Sequence, residues 1–148
     1  MLPTGYACVS NLREVCELAT IPDSHRDILT GNNFAHLATL GSDGAPQVSP
    51  VWVDLDGDTV VINTAEGRAK TRNMDRDPRV ALSCHDQQNP YRYIQVRGVV
   101  EQRTNDGAEE HIDALAKRYL GLDTYPNRAP GEVRVIFRIR PERFTTQG

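Results

Sequence analysis

Apolar and polar positions along this chain follow two different periods. Leu12, Val15, Cys16 and Ala19 fall at helical spacing and predict a short helix inside an N-terminal extension of residues 1–20. Pro22-Asp23-Ser24 then offers an N-cap for a second short helix that ends near Gly31. From Phe34 the period drops to two. "FAHLATL" alternates Phe34, His36 and Ala38 against Ala35, Leu37 and Thr39, and "GSDG" reads as a turn. "PQVSPVWVDL" follows as one strand, in which Pro50 cannot donate to a ladder. That places the strand at an edge, at a bulge or against a ligand. Asp56-Gly57 is a strong hairpin signal leading into "TVVINT".

A helix rich in basic residues comes next and must stop before Pro78. "RVALSCH" and "RYIQVRGVVEQ" make two more strands joined by the polar loop "DQQNPY". Asp106 and Glu109 resemble a capping box for a helix with Ile112, Leu115, Ala116, Tyr119 and Leu120 on one stripe, stopped by Gly121. "VRVIFRI" puts Val133, Val135, Phe137 and Ile139 on one face and Arg134, Ile136 and Arg138 on the other. About six strands with short turns and few helices predict a mainly β fold, an antiparallel barrel, in residues 21–148.

Composition narrows the class. The 148 residues carry a net charge of −3, which argues against nucleic acid as a partner. No apolar run reaches the roughly 20 residues of a membrane span, and the N-terminus lacks the basic start and apolar core of a signal peptide. Cys8, Cys16 and Cys84 form no CxxC pair, so neither a disulfide framework nor a zinc site is expected, and the cytoplasm is the expected compartment. His25, His85 and His111 are not spaced for a metal.

One stretch stands apart from this mild acidity. "EGRAKTRNMDRDPRV" holds Arg68, Lys70, Arg72, Arg76 and Arg79, five of the seventeen cations. As one continuous helix it would align Arg68, Arg72 and Arg76 as like charges, each pair costing roughly 0.2–0.5 kcal/mol. Glu66 and Asp75 are poorly placed to neutralise them all. The conflict eases if Gly67 and Arg68 form an approach loop and the helix begins near Ala69. Arg68, Lys70 and the first-turn amides then converge on one point, an arrangement suited to a phosphate. "GRAKT" is not a P-loop, because Ala69 precedes the lysine and Ile62 stands where the first glycine belongs; there is no GxGxxG either.

The ordered string "FAHLATLGSDGAPQVSPVWVDLDGDTVVINTAEGRAKTRNMDRDPRVALS", with "NPYRYIQVRGVVE" and "RVIFRIRPERF", resembles the pyridoxamine-phosphate-oxidase-like split β-barrels, and within them the deazaflavin (F420)-dependent oxidoreductases. The resemblance covers roughly residues 22 to 145. It implies a six-stranded split barrel of the FMN-binding type, and a homodimer with cofactors at the subunit interface. It also implies hydride transfer between reduced F420 and a small organic acceptor. Val48, Ser49, Pro50 and Val51 would border the ring. Asn63, Thr64, Arg68, Lys70, Thr71 and Asn73 would hold the phosphate tail, and Asn89, Pro90, Tyr91 and Arg92 would close over the cofactor. Two alternatives remain beside it: an FMN-dependent oxidase or reductase of the same fold, and a non-catalytic F420 carrier or sensor.

Hydride chemistry resides in the cofactor, so no catalytic residue is assigned. Ser49 has no His/Asp partner in sequence and reads as a hydrogen-bonding group rather than a nucleophile. Trp52 reads first as core or dimer interface and second as pocket lining. Arg92 could pair with an anionic tail or with an acidic residue. Tyr93 opens a strand and reads as packing. His36 reads as a buried, satisfied histidine, and His111 and Glu110 as solvent-facing. Tyr125 and Arg128 lie in a segment able to shape the substrate pocket.

Overall fold

The computed structural model describes residues 19–148, so the helix expected from Leu12 onward lies outside the described residues apart from Ala19. A 3-10 turn at Asp23–His25 runs into α1 (Arg26–Thr30), which ends at Gly31 as expected, although no side chain caps its start. Seven strands follow: β1 (Ala35–Leu40), β2 (Pro46–Val51), β3 (Asp54–Asp56), β4 (Thr59–Ala65), β5 (Arg79–Asp86), β6 (Asn89–Thr104) and β7 (Arg134–Gln147). Helix α2 (Ala69–Arg76) lies between β4 and β5, and α3 (Ala108–Leu120) between β6 and β7. Among the described residues no helix is long and apolar enough to cross a membrane.

The strands form one sheet in the order β2-β1-β5-β6-β7-β4-β3, with every pairing antiparallel. The expected six-stranded split barrel is therefore corrected to seven strands in a sheet whose edges, β2 and β3, are not hydrogen-bonded to each other. The extra strand arises within "PQVSPVWVDL", expected as one strand, where the chain leaves the ladder at Trp52-Val53. Side chains of α3 make that break affordable. The Tyr119 hydroxyl accepts from the Val53 amide at 3.1 Å, and Arg118 donates to the Val53 carbonyl. A buried backbone group needs such a partner wherever the ladder stops supplying one. Pro50 sits on an edge strand opposite His36, one of the three places its missing amide allows.

The main core gathers residues from several strands and from α1. Leu37 of β1, Ile62 of β4, Leu82 of β5, Ile94 of β6 and Phe137 of β7 meet there, with Ile28 and Leu29 of α1. Strand β4 is buried along almost its whole length, because α3 covers its other face. Val61 and Ile136 pack there against Ala108. Both faces of β7 are covered here: Arg134 and Ile136, on the face opposite Val135 and Phe137, are 3% and 9% exposed, while Val133 is 50% exposed and precedes the strand.

Three further expectations change. The loop "DQQNPY" shrinks to a two-residue turn at Gln87-Gln88, and Asn89 to Tyr91 belong to β6. The capping box at Asp106 and Glu109 does not form; Gly107 takes the N-cap at φ 76°, and the Asp106 amide is bonded by Thr104. His36 is exposed rather than buried.

Candidate functional site

Strand β4 delivers Asn63 and Thr64 to the base of a cleft, and Gly67, at φ 86°, turns the chain behind them. Arg68 is extended (φ −77°, ψ 154°) and α2 begins at Ala69, as the like-charge argument required. Thr71 fixes the first turn by donating to the Ala65 carbonyl at 2.7 Å. The cleft, about 160 Å³, is lined by Arg68, Lys70 and Arg134 on one side, with Pro50, Val51, Trp52, Phe34, Ile112 and Tyr125 on the other.

The three cations are unequally neutralised. Glu132 accepts from Arg134 Nη1 at 2.7 Å but lies 3.9 Å from Arg68. Lys70 has no hydrogen-bond or ion-pair partner among the described residues. Its ammonium is held below the ordinary lysine range by burial, and further by Arg68 and Arg134. Glu66 and Asp75 do not relieve it, since both are bonded to Arg103 at 2.5 and 2.7 Å. Three cations therefore face the cleft with one carboxylate between them. Desolvated like charges of this kind favour a bound anion.

The aromatic wall has its own framework. Trp52 stacks on Tyr119 at 4.9 Å between centroids and meets Tyr125 edge-on at 5.8 Å, while Phe34 meets Tyr119 edge-on. Arg134 lies over the Tyr125 ring. Trp52 thus lines the pocket, the second of its two sequence readings.

Of the residues expected around a cofactor, the structure gathers Pro50, Val51, Asn63, Thr64, Arg68 and Lys70 on this cleft. The Ser49 hydroxyl oxygen is buried with no hydrogen-bond partner. Val48 does not line the cleft and is 62% exposed. Thr71 and Asn73 are buried: Asn73 donates to Thr39 at 3.0 Å and accepts from Arg76 at 2.9 Å, tying α2 to β1. Asn89, Pro90, Tyr91 and Arg92 lie at the start of β6 and do not line the cleft. Arg92 binds Asp27 at 2.7 Å and Asp86 at 3.2 Å, the acidic pairing of its two readings.

The basic cluster therefore divides by task. Arg68 and Lys70 face the cleft, while Arg72 donates to the Gly67 carbonyl, Arg76 to the Leu40 carbonyl and Arg79 to Asp77. Sequence reasoning gave Arg134 no role, and it placed His111 in solvent. His111 bonds Asp54 at 3.0 Å and Asn63 at 3.1 Å, and its side chain is 16% exposed. No local pattern marks either residue; both depend on α3 lying across β4 and β7.

Comparison with known proteins places this geometry in context. A solved structure named F420 reductase is 35% identical, with a TM-score of 0.74 over 84% of this chain and 98% of its own. A conserved hypothetical protein from Mycobacterium tuberculosis is 22% identical, with a TM-score of 0.63 over 88% of this chain and 86% of its own. A protein from Listeria innocua, described as a putative pyridoxamine 5'-phosphate oxidase, is 18% identical, with a TM-score of 0.58 over 76% of this chain and 86% of its own. These last two share the fold. The pyridoxamine 5'-phosphate oxidase family pattern matches residues 21–148, so the chain belongs to that family.

Proposed function

We propose that this protein is an F420-dependent oxidoreductase that passes a hydride between reduced F420 and a small organic acceptor, and that it works as a homodimer. The observation that carries the reading is the Lys70 ammonium, half-buried between Arg68 and Arg134 without a partner among the described residues. The donor set fits a phosphate-bearing ligand with an acidic tail, because cationic side chains and the N-terminal amides of α2 converge on one corner. Ser49, whose buried hydroxyl has no partner among the described residues, directly precedes the cleft-lining Pro50 and Val51.

F420, when bound, supplies the hydride-carrying ring. The chain's own groups bind and orient. Arg68 and Lys70 hold the anionic tail, Arg134 adds a third charge, and Pro50, Val51 and Trp52 border the ring and keep water from it. FMN presents a ring and a phosphate too; the 35% identity to a protein named F420 reductase favours F420.

The test is anaerobic oxidation of reduced F420 by the purified protein across a panel of small organic acceptors, with reduced FMN alongside. Acceptor-dependent loss of reduced F420 is the expected result. Turnover with FMN alone would move the protein to the FMN reading. Tight F420 binding without turnover on any acceptor would make it a carrier or sensor.

A further inference from the structure

Asn63 lies under the cleft with every polar atom engaged. Its Nδ2 donates to the Ala108 carbonyl at 2.9 Å and to His111 Nδ1 at 3.1 Å, while its Oδ1 accepts from Arg134 Nε at 2.9 Å. A backbone carbonyl only accepts, so the Ala108 contact fixes which end of the amide is nitrogen. His111 Nδ1 must then be the bare, accepting nitrogen. The ring proton sits on Nε2 and is donated to Asp54 Oδ2 at 3.0 Å. Asp54 is held in turn by Arg118 at 3.1 Å, and its carboxyl lies below the usual carboxylate range, chiefly through the His111 hydrogen bond.

We infer that His111 is a positioning residue for the anion cleft. As the neutral ring protonated on Nε2, it holds the Asn63 amide, and through it the Arg134 guanidinium, in the orientation that meets the anion. The inference rests on the functional reading above. Arg134 spends Nε on Asn63 and Nη1 on Glu132, leaving Nη2 without a partner among the described residues and the guanidinium on the cleft. A proton added to His111 Nδ1 would face an N–H donor of Asn63. Turning the amide to relieve that contact would present nitrogen to Arg134 Nε and to the Ala108 carbonyl's place its oxygen, losing two bonds at once. The charged groups around the ring are Asp54 of β3, Arg118 of α3 on Asp54, Arg134 of β7 behind Asn63, Glu132 on Arg134, and Arg138 of β7, which is taken by Asp56 at 2.7 Å. Acidification adds positive charge near the cleft yet disconnects Arg134, so the relay predicts weaker anion binding at low pH where simple charge addition predicts stronger binding.

The experiment titrates wild type, His111→Gln and His111→Ala with F420 from about pH 8 down to about pH 5, the range in which histidine ordinarily changes charge. Gln offers one acceptor and one donor on an amide that does not titrate. Wild-type affinity is expected to fall about tenfold relative to His111→Gln across this range, the loss of one charge-assisted contact. His111→Ala is expected to bind about tenfold more weakly already at pH 8. A long-range proton–nitrogen spectrum of wild type without ligand is expected to show the ring proton on Nε2. Parallel pH profiles for wild type and His111→Gln, or a ring proton on Nδ1 at pH 8, would overturn the relay. Failure of wild type to bind F420 at any pH would overturn the functional reading instead, while the ring spectrum still decides the tautomer.

Discussion

At the residue scale the decisive contrast is between two cations of the same short segment. Arg79 is bound to Asp77, whose carboxyl it pulls down to about 2, and the pair sits in solvent. Lys70, nine residues earlier, has burial and two arginines against it. Its charge is unfavourable in the free protein and favourable once an anion arrives. Replacing Lys70 with Met should therefore raise the free protein's stability by ~0.5–1 kcal/mol, as removal of functional strain often does, and weaken F420 binding about tenfold or more. Thermal melts without ligand and titrations with it check both signs; a Lys70→Met variant that is less stable and binds normally would contradict the assignment. The pH sign follows from the same shift. The folded-state pKa lies below the unfolded one, so the free fold gains stability as pH rises between them. A bound anion reverses the preference, so the contribution of Lys70 to affinity is full below its free-state pKa and declines as Lys70 deprotonates, at lower pH than for an ordinary lysine. None of this was legible in the sequence beyond the count and spacing of cations. Spacing showed that Arg68 and Lys70 had to leave a common helix stripe; it could not show that Arg103 takes the nearby acids or that Arg134 arrives from β7.

At the element scale the sheet is shaped by what α3 supplies. The chain leaves the ladder at Trp52-Val53 because Tyr119 and Arg118 bond the Val53 backbone, and the same Tyr119 ring backs Trp52. Burial holds the Tyr119 hydroxyl above its ordinary range, so it stays protonated, donating to the Asn33 carbonyl at 2.8 Å. Tyr119→Phe should leave the Val53 amide and the Asn33 carbonyl unpaired and cost ~1–3 kcal/mol, read as a lower urea midpoint; an unchanged midpoint would mean that the break has another support. The periodicities were good guides where one face of an element is wet. They placed β1, β5, α2 and the stripe of α3 correctly, apart from Leu120, which is exposed. They gave no sign of a second layer over a strand, as at Arg134 and Ile136, and they failed where side chains replace ladder bonds, as at Val53. Six expected strands became seven for that reason.

At the scale of the whole molecule, one sheet face remains to be accounted for. Val48, Ala38, Ala81 and Arg97 follow one another across β2, β1, β5 and β6 in a row of mostly small side chains. A flat row of this kind suits a second copy of the chain, consistent with the proposed homodimer. Sedimentation should give about twice 16.5 kDa, and Ala81→Glu should shift the species toward one chain; an unchanged dimer in that variant would place the interface elsewhere. The central claim, however, is that the corner of Arg68, Lys70 and Arg134 exists to hold an anionic cofactor. Its most direct test is a titration of cofactor-free protein with F420 and with FMN, at low and high salt, beside Arg68→Ala. The account predicts tighter binding of F420 than of FMN, a steeper loss of F420 affinity with salt, and a loss of ~1.5–3 kcal/mol in the variant. Equal binding by wild type and Arg68→Ala, or no binding of either cofactor, would contradict it.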